Sequence, residues 1–159
     1  MVPGTTEPQR IIRQARPEEA QRISDLALRS KASWGYDAEF MEACRSALTL
    51  TPEYITTHLV FVLEAQGQIL GFYSLVVRDG ELELDNLFVE PSAIGRGYGK
   101  CLFQHAVEVA KQRGFHSMLI ESEPNAELFY RAMGAVRIAA RTSPIGTGRL
   151  LPLMKLSLQ

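Results

Sequence analysis

The chain has 159 residues, 46% of them hydrophobic and 22% charged, with a formal net charge of −1. That length suits a single domain, the charge balance excludes the broad basic field of non-specific nucleic-acid binding, and no apolar stretch approaches the ~20 residues of a membrane span. Two cysteines, Cys44 and Cys101, supply neither a disulfide framework nor a zinc set. Both fall in apolar helical patterns, so they read as core residues of a protein in a reducing, cytoplasmic setting.

Residues 1–10 are polar and lack the apolar core of a secretory signal, which predicts a flexible tail ahead of one domain over 11–159. Arg10 to Arg16 alternates weakly as a first strand. Pro17, Glu18 and Glu19 suit a helix start, and Ala20, Ile23, Ala27 and Leu28 continue it as an apolar stripe. Ser33-Trp34-Gly35-Tyr36 breaks that helix. Asp37 is the expected N-cap of a second, with Phe40, Met41, Cys44 and Leu48 on one side, and Thr51-Pro52-Glu53 is a candidate restart.

The texture changes at His58. Leu59–Leu63, Ile69–Val77 and Glu81–Val89 read as three strands joined by turns at Gln66-Gly67 and Asp79-Gly80, an antiparallel meander. Gly97–Arg113 is a strong helix stopped by Gly114. A short strand over His116–Ile120, a helix over Asn125–Met133 and strands over Val136–Ala140 and Leu150–Leu158 complete the order βααβββαβαββ. The strand–helix–strand unit in the second half predicts locally parallel strands in a mixed α/β sheet.

Chemistry concentrates where the third strand of the meander runs into Glu90-Pro91-Ser92-Ala93-Ile94-Gly95-Arg96-Gly97-Tyr98-Gly99-Lys100. Glycines let backbone N–H groups crowd around an anion, a helix start adds unpaired donors, and Arg96 and Lys100 add charge. A pyrophosphate fits such a turn. A Walker loop does not, since Ile94 and Cys101 stand where glycine and Ser/Thr are required. The dinucleotide fingerprint fails at Lys100, which takes the place of its last glycine.

The turn resembles the acetyl-CoA-binding motif of the GCN5-related N-acetyltransferases (GNAT), Q/R-x-x-G-x-G/A. Gly97-Tyr98-Gly99 supplies the G-x-G, with Ile94 in place of the first polar residue. A second stretch, Asn125-Ala126-Glu127-Leu128-Phe129-Tyr130-Arg131-Ala132-Met133-Gly134, resembles the family's N-x-x-A-x-x-F-Y-x-x-x-G-F region, with Ala135 replacing its last aromatic. The element order is similar to the GNAT fold from Ile11 to Leu158. Ser30–Asp37 also resembles a helix break in a group of small bacterial members.

The resemblance implies an N-acetyltransferase that passes an acetyl group from acetyl-CoA to an amine, small or peptidic, in a ternary complex without a metal. A non-catalytic acyl-CoA sensor on the same fold is the alternative. It implies pantetheine along Leu87, Phe88 and Val89, pyrophosphate at Gly95, Arg96, Gly97, Tyr98, Gly99 and Lys100, and an arm contact at Asn125. Tyr130 matches the tyrosine that protonates the departing sulfur, and Glu83, thirteen residues before Arg96, matches a catalytic glutamate of several branches. Asp85 and Glu121 are the substitutes for that base. The loops at Trp34–Asp37 and Ser143–Gly148 are expected to line the acceptor site. Homodimers are common in the family, with the last strand or the Trp34 region as the candidate interface.

Overall fold

A computed structural model describes residues 9–146 and 148–159; the greater part of the expected tail lies outside the described residues. Seven strands form one mixed sheet in the order β1-β2-β3-β4-β5-β7-β6. The strands are β1 (Arg10–Gln14), β2 (Leu59–Ala65), β3 (Gln68–Arg78), β4 (Glu81–Val89), β5 (Ser117–Glu121), β6 (Val136–Thr142) and β7 (Leu150–Ser157). The helices are α1 (Ala20–Ala32), α2 (Ala38–Leu48), α3 (Pro52–Thr57), α4 (Tyr98–Gln112) and α5 (Glu127–Ala132). The expected meander is β2-β3-β4. Its connections place Gln66 and Gly67 at φ 53° and 76°, and Asp79 and Gly80 at 53° and 79°, the left-handed pairs that match strand twist in two-residue hairpins.

Two expectations change in detail. The restart at Thr51 is a helix in its own right, α3, with the Thr51 hydroxyl accepting from the Tyr54 N–H at 3.0 Å. Pro17–Glu19 forms a 3-10 turn ahead of α1 rather than its first turn. Glu19 explains this. Its carboxylate accepts from the Arg16 N–H and from Arg13 Nη2, both at 2.8 Å, and so ties β1 to the helix start. The Arg13 hydrogen bond holds that carboxyl below the usual glutamate range although burial opposes it.

Each face of the sheet has its own core. One is built around α4, with Tyr73, Leu82, Leu84, Leu102, Phe103, Met118, Ile120, Tyr130 and Met154. The other lies under α1 and α3, with Ile23, Leu26, Ile55, Val60, Val62 and Phe72. No helix among the described residues is long and apolar enough to cross a membrane. Cys44 and Cys101 are free thiols; Cys44 is buried, whereas Cys101 is only partly so.

Candidate active site

β4 pairs with β3 along its whole length, but its parallel ladder with β5 covers only Glu83↔Leu119 and Leu84↔Ile120. Beyond Leu84 the two strands separate. Glu90 donates its N–H to the Leu70 carbonyl at 2.8 Å, which puts even-numbered β4 residues from Asn86 onward in the ladder to β3. By the alternation of an antiparallel pair, Leu87 and Val89 turn their backbone N–H and C=O to the open edge. A cleft of about 590 Å³ occupies the gap.

A bulge tunes this edge. Ser74 opposes Asn86 and Leu75 opposes Leu84, leaving Asp85 as the extra residue. Leu82, Leu84, Leu87 and Val89 consequently all pack in the α4 core, despite the odd step from 84 to 87, whereas Phe88 packs in the other. Gly71, opposite Val89, allows the close approach of α4. A Cβ there would lie 2.8 Å from Leu102 Cδ1 and 3.0 Å from the Phe88 carbonyl oxygen.

The glycine turn follows. Gly95 and Gly97 sit at φ 92° and 80°, a region other residues enter only with strain. Gly97 is the N-cap of α4 and brings no side-chain oxygen, so the first N–H groups of the fifteen-residue helix remain open donors. Open backbone donors at a helix start are a setting that suits an anion. Tyr98 contributes only its backbone, because its ring is buried in the core with Arg10 lying over it. Lys100 and Ile94 border the cleft. Arg96 is exposed and does not.

Of the remaining expected site residues, Tyr130, Asn125, Asp85 and Glu121 border the cleft and Glu83 does not. The Tyr130 ring is wedged against Phe103 and Phe129, with centroids at 5.8 and 5.1 Å. Its hydroxyl makes no protein hydrogen bond among the described residues, while no side-chain polar atom there is both buried and unpartnered. The oxygen therefore looks into the cleft. Burial of the ring pushes this phenol well above the usual tyrosine range.

Glu83 is buried and clamped, accepting from Arg141 Nη1 at 3.0 Å and Arg78 Nη1 at 3.4 Å. Asp85 accepts from Arg78 Nη2 at 3.2 Å and, closely, from the Tyr54 hydroxyl. Burial and the Asp85 charge raise the Tyr54 phenol, so it stays a donor. Glu121 has one partner among the described residues, Arg141 Nη1 at 3.3 Å, and keeps 35% of its side chain exposed.

The cleft also holds a cluster that no local sequence pattern announces. Glu123 accepts from Lys31 Nζ, the Tyr36 hydroxyl, Asn125 Nδ2 at 2.9 Å and Arg149 Nη2 at 3.0 Å. Burial alone would raise this carboxyl, but the Lys31 and Tyr36 hydrogen bonds and the charges of Lys31 and Arg149 hold it below the usual range. The Arg149 guanidinium lies over the rings of Tyr36 and Phe40, 5.2 and 5.0 Å from their centroids. Of the two loops expected at the acceptor site, Trp34 and Ser143, Pro144 and Ile145 line the cleft beside Lys31 and Arg149.

Known proteins share both the sequence pattern and the shape. The family model of the acetyltransferase (GNAT) domain matches residues 56–134, from α3 through the glycine turn to the end of the Tyr130 helix. The peptidyl-lysine N-acetyltransferase YiaC of Escherichia coli strain K12 is 34% identical over 127 residues, covering 78% of this chain and 82% of that protein. A GCN5-related N-acetyltransferase from Rhodopseudomonas palustris superposes with TM-score 0.78 at 24% identity over 96% of each chain. The PaiA N-acetyltransferase of Thermoplasma acidophilum, solved with coenzyme A, gives 0.77 at 18% identity over 94% of this chain and 99% of that one. At those identities shape speaks for the fold. With the YiaC match and the family model added, the chain belongs to the GCN5-related N-acetyltransferase family, and it is a transferase.

Proposed function

We propose that this protein transfers the acetyl group of acetyl-CoA directly to a primary amine, with both substrates held in the cleft between β4 and β5. The observation that carries the reading is continuity. An unpaired strand edge at Leu87 and Val89 and the uncapped start of α4 border one cleft, joined by the turn over residues 90–97. Such an edge can hydrogen-bond an extended amide chain like a further strand. The helix start, with Gly95, Gly97 and Gly99 leaving its N–H groups open, suits a pyrophosphate, and Lys100 adds a mobile positive charge.

When bound, acetyl-CoA supplies an activated acyl thioester; the protein supplies hydrogen bonds and protons. An N–H on the open edge of β4 is positioned to polarise the thioester carbonyl. Tyr130, kept neutral by burial, still carries its proton when charge builds on the departing sulfur and is the donor to it. Asn125 adds a polar group at the wall of the cleft, and Arg96, exposed outside it, adds positive charge beside the glycine turn. For the proton of the amine we favour Glu121 over Glu83. Both oxygens of Glu83 are engaged by arginines away from the cleft, whereas Glu121 faces it with one weak partner.

YiaC is named for peptidyl-lysine, so a lysine ε-amine is the first acceptor to assay, beside small amines. The free thiols suit a reducing compartment, and the reading includes a cytoplasmic enzyme. The test is thermal unfolding with acetyl-CoA titrated against ATP and NAD. Saturation at a hundred times the dissociation constant adds about 2.7 kcal/mol, several degrees in Tm. A shift with acetyl-CoA alone, followed by amine-dependent release of free CoA, supports an enzyme. Binding without release for any amine supports the sensor, and no shift removes the ligand.

A further inference from the structure

Lys31 and Arg149 are two cations on one wall of the cleft, with side chains only 14% and 19% exposed, and they share one carboxylate, Glu123. The balance there is one positive charge in excess. Hydrogen bonding is unbalanced in the same direction. Among the described residues four donors converge on Glu123, while the Lys31 ammonium has two protons left over. Arg149 engages Tyr36 and Glu123 through Nη2 alone, leaving Nε and Nη1 without a partner among the described residues. These unused donors are open to the cleft rather than buried, so an anion entering it meets them together with the excess charge.

Elsewhere in the cleft the balance is reversed. Asp85 and Glu121 border it, and behind them, among the described residues, these two and Glu83 meet Arg78 and Arg141, one negative charge in excess. A molecule spanning the two walls is best matched if it carries an ammonium toward Glu121 and Asp85 and an acidic group toward Lys31 and Arg149. Trp34, 48% exposed on the cleft wall beside Lys31, offers an apolar surface for the stem between them.

We propose that Lys31 and Arg149 form an anion subsite, and that the acceptor is an amine bearing a carboxylate, either its own or that of an acidic residue beside a lysine. The subsite rests on the acetyl-transfer reading. It assigns the unused guanidinium N–H groups of Arg149 to the carboxylate oxygens, in the geometry that makes arginine the better carboxylate partner, with Lys31 as the second charge. Glu123 holds both in place when no acceptor is present.

The experiment compares matched acceptors on the intact wild-type protein. Free amino acids are paired with their carboxamides and decarboxylated amines, and lysine peptides carrying glutamate beside the lysine are paired with glutamine counterparts. CoA release gives KM and kcat, and calorimetry on CoA-saturated protein gives affinity without turnover. The acid-bearing member is expected to have the lower KM and Kd by about tenfold in one of the two sets, which also tells a small-molecule acid from a peptide side chain. Arg149→Gln and Lys31→Met are expected to bring that ratio toward one through KM rather than kcat. Equal affinity for acidic and neutral members in both sets overturns the subsite, as does a preference that survives both substitutions. Failure of the parent reading is separate, since it appears as the absence of any thermal shift with acetyl-CoA.

Discussion

Asp85 and Asn86 are neighbours in the chain and point to the same side of the sheet. Asp85 accepts from the Tyr54 hydroxyl, and Asn86 donates to Ser74 Oγ at 2.9 Å, the same serine that meets Tyr54 at 2.9 Å. Only a bulge allows consecutive strand residues to share a face. This one falls where β4 leaves β5, so the same irregularity that sets the hydrophobic parity of Leu87 and Val89 marks the start of the open edge.

Removing the Tyr130 hydroxyl tests the acid. Tyr130→Phe is expected to lower kcat by about 10²-fold or more while changing the acetyl-CoA dissociation constant less than threefold, measured by CoA release and calorimetry. The raised phenol gives the sign of the pH effect. The group stays protonated through neutral and mildly alkaline pH, so the wild-type rate does not fall there for want of its proton.

Glu121→Gln and Glu83→Gln separate two candidates for the base. With Glu121 as proton acceptor, its replacement lowers kcat at neutral pH by about 10²-fold, and raising the pH toward the amine pKa near ~10 recovers part of the loss. Glu83→Gln is expected to act mainly on stability, because it frees two arginines from a buried carboxylate. A larger and pH-dependent rate loss in Glu83→Gln would reverse the assignment.

Gly71→Ala and Gly97→Ala probe the cofactor side differently. The first places a methyl against a backbone oxygen and a packed leucine and is expected to cost about 1–3 kcal/mol of stability, read by denaturant unfolding. The second meets no neighbour within 4 Å and costs about 1–2 kcal/mol through its positive φ alone. Both should weaken acetyl-CoA binding by calorimetry, Gly97→Ala by altering the phosphate cradle and Gly71→Ala by shifting the β4 edge.

Acid should destabilise the fold through Glu19 and Glu123. Both carboxyls lie below their unfolded value of ~4.3, so their contribution is present above that pH and is lost as pH falls through the lower, folded values. Glu123→Gln is expected to cost about 2 kcal/mol at neutral pH and to flatten the acid limb of a Tm-against-pH curve. An unchanged acid limb in that variant would assign the effect to Glu19.

The elements were legible in the sequence because their causes are local. Apolar spacing, the Asp37 and Thr51 caps, the two left-handed hairpin turns and the glycine run before α4 each act over a few residues. The same holds for the G-x-G and Tyr130 stretches, which mark the proposed cofactor side of the site. The acceptor side was legible only as two loops. Lys31 and Glu123 are 92 positions apart, and Tyr36 and Arg149 are 113 apart, so no window along the chain contains their meeting.

What the sequence by itself determined is most of the order of elements, the family resemblance and the glycine turn proposed to hold phosphate, since each depends on short-range backbone and packing preferences. Tertiary structure decided which carboxylates face the cleft. Period-two alternation treats Glu83 and Asp85 alike, and only the placement of Arg78, Arg141 and Tyr54 from other elements withdraws the first and holds the second at the wall. It also decided that β4 and β5 part after Leu84. A strand's sequence states its propensity to pair, but which partner lies within reach is settled by the packing of the whole sheet.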